Sequence, residues 1–206
     1  MKPIKVLIAD DNYVIRTGLT TILEIDPEIV LVGEAEDGAD AVRKALQLRP
    51  DVVVMDLLMP VMDGIAAMQR LAEKLPSAKV LILTTSSVSE DIDAVLRAGA
   101  RGVILKSSSD TDLAAVIKAV AAGERYIPSE VKKLIAEDPP VRPLTDRQSE
   151  ILHYITRGLS NRDIANLLGI RFDSVKEHLN AIFTKLGATT RSEAVAIAMR
   201  KHLLKV

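Results

Sequence analysis

The sequence predicts an α/β domain followed by a smaller all-α domain. Residues 4–122 contain short apolar runs that alternate with helical periodicity, the pattern of strands and helices in a parallel sheet. From residue 144 onward the apolar residues recur only with the period of a helix. Three prolines in residues 137–143 separate the two patterns and predict an extended linker. We therefore expect a doubly wound, five-stranded parallel sheet and then a four-helix domain.

Five apolar runs predict the strands of the first domain. They are residues 4–9, 30–35, 52–55, 80–84 and 102–105. Each run is apolar on both faces, as expected of strands that helices cover on either side of a sheet. The amphipathic stretches between the runs predict helices near residues 14–25, 38–48, 64–75, 89–98 and 110–122. A further short helix is predicted at residues 129–136, with Ser129 as its N-cap.

Capping residues and glycines divide the second domain into four helices. Thr145 and Gln148 fit a capping box at the start of the first helix, which ends at Gly158. The second helix is predicted between Ser160 and Gly169, the third at residues 173–186 and the fourth at residues 191–203. The second and third helices, joined by a short turn, predict a helix-turn-helix. We place the domains at residues 1–124 and 144–206, with residues 125–143 as the connection.

Composition and charge limit the classes of function. The chain has 206 residues, 48% of them hydrophobic and 27% charged, as in ordinary globular proteins. It contains no cysteine, which excludes disulfides, thiolate zinc sites and thiol catalysis and agrees with a cytoplasmic protein. The first strand begins close to Met1, and no apolar run reaches the ~18 residues of a membrane span, so we expect neither a signal peptide nor membrane insertion. Residues 1–136 carry 16 Lys and Arg against 20 Asp and Glu, whereas residues 137–206 carry 11 against 8, which suggests an anionic partner for the second domain.

Charged side chains follow three of the predicted strands. Asp10 and Asp11 follow the first run, Asp56 follows the third and Lys106 follows the fifth, while Thr84 ends the fourth. The carboxyl ends of parallel strands meet at one edge of a sheet, where ligands bind. Carboxylates grouped there favour Mg²⁺, and Asp56 would then be both a metal ligand and a nucleophile that forms an acyl phosphate. In the alternative interpretation, Asp10 or Asp11 caps the next helix, Lys106 pairs with a carboxylate and Thr84 is an ordinary strand residue.

The same residues carry a resemblance to a known family. The sequences Ala9-Asp10-Asp11, residues 55–64 (MDLLMPVMDG), Thr84 and Leu105-Lys106 resemble the flavodoxin-like, CheY-like receiver domain of two-component response regulators. The resemblance implies that Asp56 is the phosphoacceptor, that Asp11 binds Mg²⁺ directly and that Asp10 binds it less directly. It also implies that the backbone carbonyl of Leu58 completes the protein ligands, while Thr84 and Lys106 hold the phosphoryl group. Val103 is a departure, because receivers usually carry an aromatic residue or histidine three residues before the lysine.

The third helix of the second domain has one apolar face and one polar face. Val175, Leu179, Ile182 and Leu186 share the apolar face and are expected in the core. The opposite face, which we call the reading face, consists of Lys176, Glu177, Asn180 and Thr184. Asn180 suits adenine and Glu177 can accept a hydrogen bond from cytosine, while Lys176, Arg162, Arg171 and Lys185 are candidates for phosphate contacts. A merely solvated face explains the pattern equally well.

A second resemblance covers this domain. Residues 144–148 (LTDRQ), 158–165 (GLSNRDIA), 175–179 (VKEHL) and 185–187 (KLG) resemble the LuxR-type helix-turn-helix. Together the two halves resemble NarL/FixJ-class response regulators. That class implies a transcription factor that binds double-stranded DNA, a sensor histidine kinase as phosphoryl donor and a homodimer when phosphorylated. Arg171 departs from the usual Ser or Thr at the N-cap of the third helix, a loss of roughly 1 kcal/mol unless Asp173 provides the cap.

Two other functions remain open at this point. A phosphohydrolase with an aspartyl-phosphate nucleophile would need a general acid two residues after Asp56, where the sequence has Leu58. A regulator of the same fold that works without phosphate is favoured only by Val103. The sequence therefore favours a DNA-binding regulator that undergoes phosphorylation but does not turn over an external substrate.

Overall fold

The computed structural model describes residues 2–108 and 111–204. Two compact units emerge, one formed by the residues up to Ser87 and by Asp91–Glu137, the other by Val88–Glu90 and the residues from Asp138 onward. The predicted start of the fifth helix at residue 110, and residues 1, 205 and 206 of the predicted domains, lie outside the described residues.

The strands and helices follow the predicted order. The strands are β1 (Ile4–Ala9), β2 (Ile29–Ala35), β3 (Val52–Met55), β4 (Lys79–Thr84) and β5 (Gly102–Leu105). The helices of the first unit are α1 (Tyr13–Glu24), α2 (Gly38–Leu48), α3 (Gly64–Lys74), α4 (Ser89–Arg97, whose first two residues are grouped with the second unit), α5 (Leu113–Ala122) and α6 (Ser129–Glu137). Those of the second unit are α7 (Asp146–Thr156), α8 (Asn161–Leu168), α9 (Phe172–Leu186) and α10 (Arg191–Arg200).

Within the described residues, the five strands form one parallel sheet in the order β2-β1-β3-β4-β5. From β1 the chain adds β2 on one side of the sheet and then β3, β4 and β5 on the other side. The boundary between β1 and β3 is therefore the switch point where ligands bind in doubly wound folds. The register pairs Ala9 with Met55 and Thr84 with Leu105. As a result, Asp10 and Asp56 leave neighbouring strands at the same level, and Lys106 follows the strand beside Thr84.

Both faces of the sheet are buried, as the apolar runs predict. Along β1, Leu7 and Ala9 pack in one core cluster, whereas Val6 and Ile8 pack in the cluster on the other face. The same alternation holds in β3, where successive side chains point to opposite faces. Each such aliphatic side chain contributes roughly 1.5–3 kcal/mol through its burial. The buried sheet therefore fixes the positions of the charged residues that follow its strands.

Two close approaches hold the loop after β3 in place. A Cβ on Gly64 would lie 2.5 Å from the carbonyl oxygen of Asp56, and Gly64 N–H donates to the Leu57 carbonyl at 2.9 Å. A Cβ on Gly38 would lie 2.4 Å from the Met62 carbonyl oxygen, to which Gly38 N–H donates at 3.1 Å. No side chain fits at either position without moving the backbone. The two glycines thus fix the path of the chain beside Asp56.

Helix α6 packs on the core of the first unit. Val131 is fully buried there, and Leu134 and Ile135 pack against the same cluster. Tyr126, just before the helix, extends the edge of β5: Val103 N–H donates to its carbonyl at 3.0 Å, and its own N–H donates to the Arg101 carbonyl at 2.8 Å. The short helix predicted at residues 129–136 therefore exists and is anchored by its apolar face.

The second unit contains the predicted helices around one core. The capping box of Thr145 and Gln148 is present, and Ser160 caps α8 with Asp163 reaching back. The core combines residues of all four helices, namely Ile151, Leu152, Ile155, Ile164, Ala165, Val175, Leu179, Ile182, Leu186, Ala194 and Ala198. The apolar face predicted for the third helix is thereby confirmed.

Several predicted helix ends are displaced by a residue, and two ends in the second unit have a physical explanation. Helix α9 begins at Phe172, with Arg171 as an N-cap that makes no side-chain capping bond, so the prediction that Asp173 could provide the cap is wrong. Asp173 lies inside the first turn, where its negative charge interacts favourably with the positive end of the helix dipole. Helix α10 ends at Arg200 rather than Leu203, because His202 adopts a left-handed backbone conformation with φ of 50°.

Candidate phosphoacceptor site and nucleic-acid interface

Three carboxylates converge at the carboxyl ends of β1 and β3. One oxygen from each of Asp10, Asp11 and Asp56 lies within 4.8 Å of the others. Asp10 and Asp56 are buried, at 1% and 5% exposure, whereas Asp11 is exposed. Three acids this close repel one another unless a cation lies among them. We call these acids together with Lys106 the strand-end site.

Lys106 supplies part of the required positive charge. Its Nζ lies 2.6 Å from Oδ2 of Asp10 and 2.6 Å from Oδ2 of Asp56. Burial disfavours the charged amine, but the two acids outweigh it, and the pKa of Lys106 is raised. The contact with Asp56 is a hydrogen bond. The angles at Asp10 do not meet hydrogen-bond geometry, so among the described residues Oδ2 of Asp10 accepts no hydrogen bond and is balanced by charge alone.

Burial raises the pKa of Asp56, and the neighbouring charge of Asp10 adds to this effect, while the bond from Lys106 opposes it. The backbone holds the other oxygen of Asp56: Leu57 N–H donates to Oδ1 at 2.6 Å and Leu58 N–H approaches it at 3.4 Å. This carboxylate is consequently fixed in orientation and poorly solvated. Both properties suit a nucleophile that depends on a bound cation for its charge state.

Thr84 is fully buried at the end of β4. Its Oγ1 accepts a hydrogen bond from Ser86 N–H at 3.0 Å, which leaves the hydroxyl proton to be donated elsewhere. The backbone N–H of Lys106 donates to the Thr84 carbonyl at 2.7 Å. The hydroxyl and the amine are therefore carried by two strand ends that are joined directly.

Asn12 lies beside the strand-end site, and the sequence did not indicate its role. Its side chain caps α1 by accepting hydrogen bonds from Val14 N–H at 2.9 Å and Ile15 N–H at 3.4 Å. Its own N–H donates to Oδ1 of Asp10 at 2.9 Å. The alternative in which Asp10 or Asp11 caps this helix is therefore wrong. An Asn two residues before the predicted helix start was the signal that could have identified the cap.

The predicted reading face lies on the surface of the second unit. Lys176, Glu177, Asn180 and Thr184 are all exposed on α9, as are the candidate phosphate contacts Arg162 and Arg171. Lys185 differs, since its Nζ donates at 2.7 Å to both the Pro143 carbonyl and Oε1 of Gln148. It holds the end of the linker against the capping residue of α7, and a phosphate would have to compete for these bonds.

Arg191 is a second residue whose role the sequence did not indicate, because a basic residue at a helix start is usually solvated. Its Nη1 donates to Oδ1 of Asn161 at 3.3 Å, and its Nη2 donates to the carbonyls of Ile155, at 3.4 Å, and Leu159. Burial lowers the pKa of this guanidinium. Arg191 thus connects the end of α7 and the start of α8 to α10.

The comparisons with known proteins agree with this geometry. Residues 6–118 match the response regulator receiver domain, and residues 142–198 match the family of bacterial regulatory proteins described as luxR. This chain belongs to the NarL/FixJ class of response regulators. The response regulator is similar to the transcriptional regulatory protein LiaR of Bacillus subtilis, with 37% identity over 98% of this chain and 99% of LiaR. It is 36% identical to the oxygen regulatory protein NreC of Staphylococcus epidermidis, over 98% of this chain and 99% of NreC.

Solved structures support the same assignment. A structure of two RcsB dimers bound to two parallel DNAs has 26% identity with this response regulator and a TM-score of 0.71, covering 97% of this chain and 99% of that one. The response regulator therefore combines a receiver domain with a LuxR-type DNA-binding domain. Among the described residues, no helix is long and apolar enough to span a bilayer.

Proposed function

We propose that this response regulator is a transcription factor switched by phosphorylation of Asp56, with a sensor histidine kinase as the donor. The observation that carries the proposal is the contact of Lys106 with both Asp10 and Asp56 at 2.6 Å. It brings an amine and two buried acids from distant parts of the chain to one point. In the proposed scheme, phosphorylation promotes a homodimer that binds double-stranded DNA.

The strand-end site fits Mg²⁺. Hard oxygen ligands from Asp10, Asp11 and Asp56 lie within reach of one ion, and the backbone carbonyl of Leu58 is the proposed fourth protein ligand. Oδ2 of Asp10 is buried, and its contact with Lys106 at 2.6 Å does not have the geometry of a hydrogen bond, so a cation at the site would satisfy this oxygen. When bound, Mg²⁺ would neutralise the acids and the phosphoryl oxygens.

Asp56, Lys106 and Thr84 have different roles in the proposed phosphoryl transfer. One carboxylate oxygen of Asp56 attacks the phosphorus of a phosphohistidine, forming an O–P bond as the N–P bond breaks and the imidazole leaves. Lys106 pairs with a phosphoryl oxygen in place of a carboxylate, and the Thr84 hydroxyl donates to another. Hydrolysis of the acyl phosphate resets the switch. The receiver catalyses these steps on itself, and the product of the cycle is a change in DNA binding.

The DNA contacts are proposed on the second unit. Lys176, Glu177, Asn180 and Thr184 would enter the major groove, where Asn180 and Glu177 read base edges. Arg162, Arg171 and Lys185 would contact phosphates, with Lys185 exchanging its internal bonds for this role. The excess of basic over acidic residues in residues 137–206 supports an anionic partner.

We propose a functional division into a receiver at residues 1–124, a connection at 125–143 and a DNA-binding domain at 144–206. Burial of Val131 supports including α6 in the folded unit of the receiver. We propose the cytoplasm as the location, since the proposed function is to act on DNA.

Regulation without phosphate is the second candidate, favoured by Val103. This residue is buried in β5 and has no large side chain that could change its position when Thr84 engages a phosphoryl group.

DNA affinity with and without a small phosphodonor separates the two candidates. The full chain is treated with acetyl phosphate and Mg²⁺, and its affinity is measured for duplexes selected from a random pool. Phosphorylation at Asp56 predicts tighter binding and a dimer by light scattering, with neither change in Asp56→Asn. Equal affinity under all conditions would favour the phosphate-independent regulator, and an equal gain in Asp56→Asn would place the switch elsewhere.

A further inference from the structure

A cavity on the second unit lies beside the reading face. It has a volume of about 210 Å³ and is lined by Asn161, Lys176, Leu179, Asn180, Phe183 and Arg191. Leu179 and Phe183 form its apolar side, and the other four residues supply hydrogen-bond donors. The lining residues come from α8, α9 and α10, so the cavity depends on how these three helices pack. None of its lining residues carries a negative charge.

The charge of Arg191 in this cavity is not neutralised. Its hydrogen bonds go to the side-chain amide of Asn161 and to two backbone carbonyls, which are neutral acceptors. Among the described residues, no carboxylate forms an ion pair with it. A guanidinium has five N–H donors, and the three bonds use only Nη1 and Nη2, so Nε–H and one N–H of Nη1 are left to bind an anion. The bonds to the protein also fix the orientation of the group.

Lys176 and Asn161 complete the polar side. The Nζ of Lys176 lies 3.6 Å from Oδ1 of Asp173 and 4.5 Å from the centre of the Phe172 ring. Both members of that ion pair are more than half exposed, so the pair contributes at most about 1 kcal/mol and leaves the amine exchangeable. Oδ1 of Asn161 accepts from Arg191, which leaves the amide N–H groups of Asn161 as donors.

We propose that this cavity binds one backbone phosphate of double-stranded DNA, held by Arg191, Asn161 and Lys176. This rests on the proposed reading face, because Lys176 and Asn180 belong both to that face and to the cavity. Two cationic groups and an amide donor suit a singly charged phosphodiester. Since Arg191 is anchored to α7 and α8, the phosphate would fix the depth and register at which α9 enters the groove.

The test measures how DNA affinity depends on salt concentration, using the full chain with acetyl phosphate and Mg²⁺. Each phosphate contact makes the slope of log K against log salt more negative by about 0.9. Arg191→Gln is expected to reduce the magnitude of this negative slope by about one and to weaken binding to selected and random duplexes alike. Arg200→Gln, on the exposed end of the same helix, is the matched control and should leave the slope unchanged.

A second variant guards against loss of folding in Arg191→Gln. Asn161→Asp puts a carboxylate against the guanidinium at the first position of α8, where a negative charge favours the helix. It should retain or raise the melting temperature while reducing the magnitude of the salt slope by about one. A wild-type slope in Asn161→Asp would overturn the proposed phosphate site, as would weaker binding by Arg191→Gln with an unchanged slope. If the wild-type chain binds no duplex from the pool, the proposed DNA-binding function fails instead.

Discussion

Helix α6 offers a direct measure of how far the receiver core extends. Val131 is fully buried, so Val131→Ala removes two buried methyl groups, each worth about 0.8 kcal/mol in transfer free energy. The cavity left behind adds to this loss, whereas the higher helix propensity of alanine returns a few tenths of a kcal/mol. We expect the free energy of unfolding of the first unit to fall by about 2 kcal/mol.

Native-state hydrogen exchange can assign this loss to the first unit. Amides of β1 and β5 that exchange by unfolding of the whole unit report its stability directly. Val14→Ala is the control, since it makes the same substitution in helix α1 at a side chain that is 74% exposed. It should change the stability by no more than about 0.5 kcal/mol. Equal effects of the two substitutions would mean that α6 contributes nothing to the receiver core, and our account of that helix would be wrong.

Three further predictions concern charge, close packing and capping. The pKa of Asp56 is raised by burial, so its contribution to stability is present below the unfolded pKa of about 3.9 and is lost as pH rises through the folded value. Asp56→Asn should therefore melt above the wild type at pH 7, with the difference shrinking on acidification; a lower melting temperature at pH 7 would contradict this. Gly38→Ala should destabilise the receiver in urea unfolding, because its Cβ would lie 2.4 Å from the Met62 carbonyl oxygen, and wild-type stability would refute the close contact. Arg171→Ser should stabilise the second unit by about 1 kcal/mol by supplying the missing cap of α9, while Ser160→Ala, which removes an existing cap, should lose a similar amount; both are measured by thermal unfolding, and no gain in Arg171→Ser would argue against the uncapped helix start.

Much of the receiver could be predicted from the sequence because its signals are periodic. A run such as Val52–Met55 is apolar on both faces only if helices cover both sides of the strand. In a parallel sheet all carboxyl ends then share one edge, so the positions of Asp10, Asp56 and Lys106 in the chain were enough to predict their convergence. The bridging position of Lys106 between two acids could not be predicted, since it depends on side-chain conformation.

The missed features depend on contacts between distant residues. Helix α6 was predicted, but its amphipathic pattern does not say which surface Val131 covers. In the sequence, Arg191 looks like an ordinary solvated residue at a helix start. Its role arises from hydrogen bonds to the carbonyls of Ile155 and Leu159, which only the folded chain brings near. The cap of α9 illustrates a different limit. The known preference for Asp over Arg at the N-cap position favoured Asp173. The packing of Val175 and Leu179 in the core nevertheless fixes where the helix begins, and Arg171 becomes the N-cap.

The most direct test of the central claim is to locate the phosphoryl group that acetyl phosphate transfers to the chain. Intact mass and peptide mapping would be compared with and without Mg²⁺, in the wild type and in Asp56→Asn and Asp11→Asn. The account predicts one phosphoryl group, carried by Asp56, formed rapidly only with Mg²⁺ and slowly in Asp11→Asn. Phosphorylation at another residue, or at Asp56 at the same rate without Mg²⁺, would contradict it.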